Sequence, residues 1–370
     1  MQQETLKQFT LEKKPGSLIV ITGEIPYEEL IRHRESAIAT VGKDIEIDGF
    51  RKGHVPEKML IARVGEMAIM SEMAEKTLHE YYPAIVTTHT LDVIGYPHIS
   101  LTKLAPENPL GFTITVAIVP EVTLPDYTAI VKGLNAKKES KEVTDEDVEK
   151  QIADILRQKT AYERLQAKAK AKTDAGEAGI EEEKDAKEFD SDALPLPELT
   201  DEYVKTLGKP GQFESVTQFR EQIREHLAIE KAQEVDSNHR AHITDAIIEK
   251  TTMDLPQVLV DAEIDQMLAQ MQTDLERAQL KIDDYLAHIK KTKEDLIQEW
   301  TPSAEKRAKL QLVLNEIAKK EGIVADPSLV DHEVSHLLEQ YKDADEKRVR
   351  VYVASVLVNE AVLRKLEETV

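Results

Sequence analysis

The chain has no cysteine in 370 residues, which excludes disulfide bonds and thiolate chemistry and suits a reducing compartment. Aromatics are scarce, 5% with a single tryptophan, and there are only 14 glycines and 15 prolines. With so few turn formers and flat ring side chains, helix formers dominate, and long solvated helices are expected rather than an all-β body. No glycine-rich phosphate-binding loop is present, so the sequence offers no such seat for a nucleotide, and no cofactor is expected. No apolar run approaches the ~18–20 residues of a membrane span. The start MQQETLKQFTLEKKPGS lacks the basic-then-apolar pattern of a signal peptide. The expectation is a soluble, cytoplasmic protein without a membrane partner. Positive charge is also short: 48 Lys and Arg against 70 Asp and Glu give a net charge of −22. Such a field opposes non-specific binding to nucleic acid or anionic lipid. The deficit is uneven, with 13 against 18 in residues 1–134 and 35 against 52 in the remainder. The first third is the part least opposed to approaching a polyanion.

The length allows two or three domains, and the patterning assigns them. SLIVITGEI (17–25) is short and β-branched, a strand. Helical spacing follows through Tyr27, Leu30, Ile31, Arg34, Ile38 and Val41, with Pro26 at the start. After a loop, 59–64 and 67–91 read as helix. DVIGYPHISLTKL (92–104) and GFTITVAIVPEV (111–122) read as a hairpin, the second alternating at period two. Residues 1–134 are therefore expected to form an α+β N-terminal domain of strand, helix-loop-helix and β-hairpin. Residues 123–142 look extended. Within 135–195 one helix, 143–165, opens with Thr144 and Asp147 in near-capping-box spacing, and 166–195 is a charged, low-hydrophobicity stretch with the composition of a flexible linker. From 196 to 370 an all-α domain with long arm-like helices is expected. Its helix at 214–250 is ~55 Å long if continuous, and later helices start at Pro256, Thr301–Pro302 and Asp326–Pro327. The last helix, 344–368, is dense in valine and leucine and is expected to lie deepest.

Three constellations compete for function. HEVSH (332–336) has His-Glu-x-x-His spacing, which on a helix sets His332 and His336 one turn apart with Glu333 placed to activate a zinc-bound water. A zinc metallopeptidase is one alternative reading. Against it, the apolar stripe of that helix is Val330, Val334, Leu337, Leu338 and Tyr341, which turns both histidines to solvent, and no sheet edge is expected nearby to bind a peptide. Methionine-rich stretches (Met59, Met67, Met70 and Met73; Met267 and Met271) form either ordinary core or adaptable contact surface. The third constellation is the loop IDGFRKGHVPEKM (47–59). Gly49 and Gly53 admit backbone angles other residues resist, and Pro56 stiffens the exit. They hold Phe50, Arg51 and Lys52 together at a turn, an aromatic and two cations with the composition of an interface hot spot. His54 is a spacer or a pH-sensitive contact.

GFRKGHVP (49–56) resembles the Gly-Phe-Arg-x-Gly-x-x-Pro signature of the trigger factor family of ribosome-associated chaperones. PEVTLPDYTAIV (120–131), EVTDEDVEKQIADILRQKTAYERL (142–165), LPELTDEYVKTLG (196–208), MDLPQVLVDAEIDQML (253–268) and PSAEKRAKLQLVLNEIAKKEGI (302–323) resemble the same family in the same order, so the likeness spans nearly the whole chain. It implies an ATP-independent holdase that shields nascent polypeptides. Phe50, Arg51 and Lys52 would contact the large ribosomal subunit at the tunnel exit, both protein and rRNA, while Gly49, Gly53 and Pro56 shape the loop. Relatives often carry lysine where this chain has His54, which implies weaker or more pH-dependent docking. Members of the family usually hold a peptidyl-prolyl isomerase domain between the segments matching TAYERL and LPELTDE. Here only 166–195 stands there, with one aromatic, Phe189, so no isomerase activity is expected and the protein is not expected to be an enzyme. A ribosome-independent general chaperone is the other alternative, and a homodimer through exposed apolar surface is a further expectation.

Overall fold

The computed structural model describes residues 9–43, 45–46, 56–174, 197–209 and 212–369, with backbone alone at 165 and 167–174. Contacts group the chain into two compact units, Met1–Tyr127 with Ile247–Arg364, and Thr128–Ala246 with Lys365–Val370.

In the first unit, strands β1 (Thr10–Lys14) and β2 (Leu18–Ile25) are followed by helices α1 (Tyr27–Ile31), α2 (Arg34–Gly42), α3 (Glu57–Val64) and α4 (Glu66–Thr88), then by β3 (Val93–Lys103) and β4 (Leu110–Ile118). The four strands make one antiparallel sheet in the order β1-β2-β4-β3. Strand β1 is absent from the sequence reading. Its TLEKK has one apolar residue, Leu11, opposite Ile21, and an edge strand needs no more than that to be held by its neighbour's backbone. The central strands β2 and β4 read clearly because they alternate: Ile19, Ile21, Phe112, Ile114 and Val116 are buried. Helix α4 covers that face with Ile69, Met73, Leu78, Tyr81 and Ile85, residues three to five apart on one side. Thr77 is buried among them, and its hydroxyl donates to the Met73 carbonyl at 2.7 Å, so its polarity is satisfied. Gly65, with φ 84°, separates α3 from α4; only glycine takes that angle without strain.

Helix α5 (Tyr127–Asn135) lies where the sequence suggested extended chain. Its signal is two buried residues four apart, Tyr127 and Val131, too short a stripe to stand out beside Gly133. Helix α6 spans Asp145–Asp174, nine residues beyond the expected end at 165. The Thr144–Asp147 box is present in both directions: Asp147 N–H to Thr144 Oγ1 at 3.2 Å and Thr144 N–H to Asp147 Oδ2 at 3.0 Å. Helices α6, α7 (Asp201–Val204) and α8 (Val216–Lys250) enclose Val148, Ile152, Leu156, Val204, Leu207 and Phe219. Phe213 meets Phe219 edge-to-face at 4.9 Å.

The remaining helices are α9 (Gln257–Arg277), α10 (Ile282–Ile289), α11 (Lys293–Glu321), α12 (Pro327–Gln340) and α13 (Glu346–Glu367). No new helix begins at Thr301–Pro302. Helix α11 starts instead at a full capping box, Thr292 with Asp295, and Pro302 lies in its interior; a reciprocal pair of N-terminal hydrogen bonds outcompetes a lone proline signal. Gly322, left-handed at φ 66°, ends it, and Asp326 caps α12 with Pro327 at the first turn. Helix α13 does not lie deepest. Val351 is 72% exposed and Tyr352 60%, because its apolar residues run round the helix and only Val353, Val362 and Leu366 are fully buried.

Candidate functional site

Gly49, Phe50, Arg51, Lys52 and Gly53 fall outside the described residues, as does His54. Their supports do not. Pro56 is the N-cap of α3, at φ −58° and ψ 138°, and its carbonyl accepts from Met59 N–H at 2.9 Å and Leu60 N–H at 3.0 Å. On one shoulder Ile45 packs against the first unit's core, and on the other Leu60 is buried in it. Arg34, at the start of α2, forks across the base. Its Nε and one terminal nitrogen donate to Glu57 at 3.0 and 2.9 Å, and the other donates to Glu66 at 2.5 Å. The Glu66 hydrogen bond is the main reason that the guanidinium is held firmly in its charged form, beyond its already high ordinary value. Two carboxylates on one fork fix three helix starts together, an arrangement lysine could not copy.

A second site lies wholly within the helical part of the first unit. Val260, Ile264 and Leu268 of α9 pack on Ala304 of α11, with Ile297 and Trp300 beside them. The neighbouring stripe of α9, Met267, Met271 and Leu275, is only half covered. Together with Tyr285 of α10 and Trp300 of α11 it lines an open, mainly apolar groove of about 420 Å³, with Gln270, Asp274 and Arg307 at its polar margin. At helical spacing Met267, Met271 and Leu275 continue the stripe of Val260 and Ile264, whereas Ala278 beyond them is exposed. The two stripes are adjacent on the helix, and only the partner helices decide which is core. Trp300 packs against the Val260 cluster while also facing the groove.

His332 and His336 are both exposed on α12, while Val330 and Val334 are buried. His332 meets only its neighbour Glu333, at 3.2 Å. Among the described residues no group of three or more His, Cys, Asp or Glu could hold a metal ion. Two histidines on a solvated face do not make a zinc centre, and the metallopeptidase alternative is dropped.

Comparison with known proteins gives the family. A family model described as bacterial trigger factor protein matches residues 7–155, and one described as its C-terminus matches residues 215–368. The chain belongs to the trigger factor family. Trigger factor of Halalkalibacterium halodurans is 25% identical over 90% of each chain. That of Natranaerobius thermophilus is 27% identical over 96% of this chain and 93% of its own, and that of Macrococcus caseolyticus 26% over 89% and 90%. A solved structure described as "Promiscuous Substrate Recognition in Folding and Assembly Activities of the Trigger Factor Chaperone" overlays with a TM-score of 0.51 at 16% identity. The overlay covers 98% of this chain and 100% of that one, a likeness of fold. The two trigger factor models leave residues 156–214 unmatched. Among the described residues there, α6 continues to Asp174 and α7 follows at Asp201–Val204, with no strand. No described helix anywhere is long and apolar enough to cross a membrane.

Proposed function

We propose that this trigger factor is an ATP-independent, cytoplasmic holdase. It docks through the 49–53 tip on the large ribosomal subunit at the tunnel exit, and it shields nascent chains on its helical portion without isomerising prolyl bonds. The observation that carries the chaperone reading is the open groove of Met267, Met271, Leu275, Tyr285 and Trp300. Thioethers and aromatic rings adapt to clients of varied shape, and a half-covered apolar face gives weak binding that reverses without a chemical step. The docking reading is supported by the signature GFRKGHVP on shoulders that Ile45, Leu60 and the Arg34 fork hold in place. The absence of isomerase activity is supported by 156–214, where the described residues form helix, turn and coil with no strand, and so offer no sheet to line a proline pocket.

Two variants separate the parts. Phe50, Arg51 and Lys52 changed together to alanine should cut co-sedimentation with ribosomes tenfold or more and leave suppression of aggregation in solution intact. Met271→Glu combined with Trp300→Ala should do the reverse. If the triple variant sediments with ribosomes like the parent, the docking reading is wrong and a ribosome-independent chaperone is what remains. A prolyl-peptide assay should give the uncatalysed rate, and activity above it would overturn the reading of 156–214.

A further inference from the structure

Residues 252–258, which lead from α8 into α9, are fastened by three separate contacts, one to the segment that follows β4 and two to the sheet and its β1–β2 turn. Thr252 and Thr123 exchange both backbone hydrogen bonds, at 2.9 and 3.2 Å, as an isolated antiparallel bridge. Asp254 is seated on the turn between β1 and β2: Ser17 N–H donates to its Oδ2 at 2.8 Å, and the Ser17 hydroxyl donates to its carbonyl at 2.5 Å. The Gly16 backbone N–H adds to holding the Asp254 carboxylate charged. Gly16 and Ser17 both have positive φ, 81° and 50°, which turns their successive N–H groups into one anion-holding concavity. Four residues further on, Val258 closes over Gly95 of β3. A Cβ on Gly95, itself at φ 72°, would stand 2.8 Å from Val258 Cγ2.

We propose that Asp254 is a positioning residue: seated on the Gly16–Ser17 turn, it fixes the root of α9 to the sheet and so holds the methionine groove in a constant direction from the docking domain. The leverage is geometric. Helix α9 runs from Gln257 to Arg277 with no interior glycine or proline to absorb a bend. A tilt of about 10° at the root would sweep Met271, about 20 Å along the axis, through roughly 3–4 Å, comparable with the width of a side chain. Three contacts of different kind at one root remove that freedom: a backbone bridge, a carboxylate in a nest and a close-packed valine. The carboxylate is held below its ordinary range by the Ser17 and then the Gly16 backbone N–H groups. The charged form is therefore the one that fits. Lys13, Lys14 and Glu121 line the cleft beside it, with Lys13 paired to Glu121 at 3.9 Å and Lys14 to Glu12 at 3.9 Å.

The functional half of this inference rests on the docking and client-binding reading, so the test has two arms. The chain has no cysteine, so Ser100→Cys on β3 and Gln272→Cys on α9, both exposed, can carry a spin-label pair without other changes. The distance distribution in the full chain should be narrow. Asp254→Ala should at least double its width, and Asp254→Asn, which keeps one acceptor oxygen, should fall between. An unchanged width in both variants, with unchanged helix content by circular dichroism, overturns the inference. In the second arm, Asp254→Ala should co-sediment with ribosomes and suppress aggregation in solution as the parent does, yet lose several-fold in protecting a ribosome-tethered nascent chain from protease. Undiminished protection despite a broadened distribution overturns the positioning role. Failure of the docking reading is seen separately, as ribosome binding that survives loss of Phe50, Arg51 and Lys52.

Discussion

Asp147 and Asp236 are the carboxylates whose protonation the fold resists most visibly. Asp147 is held at about 2, first by the Thr144 backbone N–H and then by the Lys231 ammonium at 2.9 Å. Asp236 is held at about 2 by Lys141 at 2.7 Å and Lys138 at 2.9 Å. An unfolded aspartate titrates near 3.9, so both folded values are depressed, and the stabilisation is fully present above about pH 4. It is lost as pH falls from there towards 2. Urea midpoints measured between pH 2 and 5 should therefore drop more steeply for the parent than for a variant carrying Asp147→Asn and Asp236→Asn, with the two curves converging at the acid end. Parallel curves would mean that these contacts are screened to nothing at the surface. At this scale the sequence was readable wherever the partner is near in the chain. Thr144 and Asp147 are three apart, and Asp326 caps a helix beginning with the next residue. It was silent on the Arg34 fork, whose partners lie 23 and 32 residues away, and on Asp254, whose partner Ser17 is 237 residues distant. No local pattern encodes such pairs; only the topology of the sheet brings them together.

The helices and strands divide along similar lines. Those with one buried face, such as β2, β4, α4 and α9, are legible because burial imposes a period. Those held by neighbours rather than by their own pattern, β1 and α5, are not. Helix α11 is the instructive case, since Thr301–Pro302 resembles a start and is instead an interior. Thr301 Oγ1 donates to the Ile297 carbonyl at 2.7 Å, a back-bond that competes for backbone acceptors one turn before the proline. Pro302 has no N–H for the Gln298 carbonyl and crowds it with its ring. Ala304, two residues on, is fully buried against α9, so packing in the Val260 cluster keeps the helix continuous despite the break in its ladder. Pro302→Ala should therefore raise thermal stability of the full chain, by about 1–3 kcal/mol on helix propensity. If Pro302 also shapes the groove, suppression of aggregation falls at the same time. A variant less stable than the parent would show that proline's restriction of the unfolded chain outweighs its cost in the helix.

For the whole molecule the governing quantity is charge. A body of net −22 approaching a polyanionic ribosome is repelled at every distance within the Debye length, about 10 Å at 0.1 M salt, and the proposed tip opposes this with two cations, Arg51 and Lys52. Counterion release scales with the number of phosphates neutralised, about −0.7 to −0.9 in log–log slope for each, so two contacts give a slope no steeper than about −2. Screening of the acidic body works the other way, because added salt weakens repulsion as well as attraction, and it makes the net slope shallower still. Ribosome affinity measured from 50 to 300 mM salt should therefore change far less than for a basic nucleic-acid-binding protein. With Arg51 and Lys52 both replaced by alanine, the residual affinity should be flat or should rise with salt, since only repulsion is left to screen. A parental slope steeper than about −4 would require about five or more phosphate contacts, more cations than the tip carries, and would move the docking surface elsewhere on the chain.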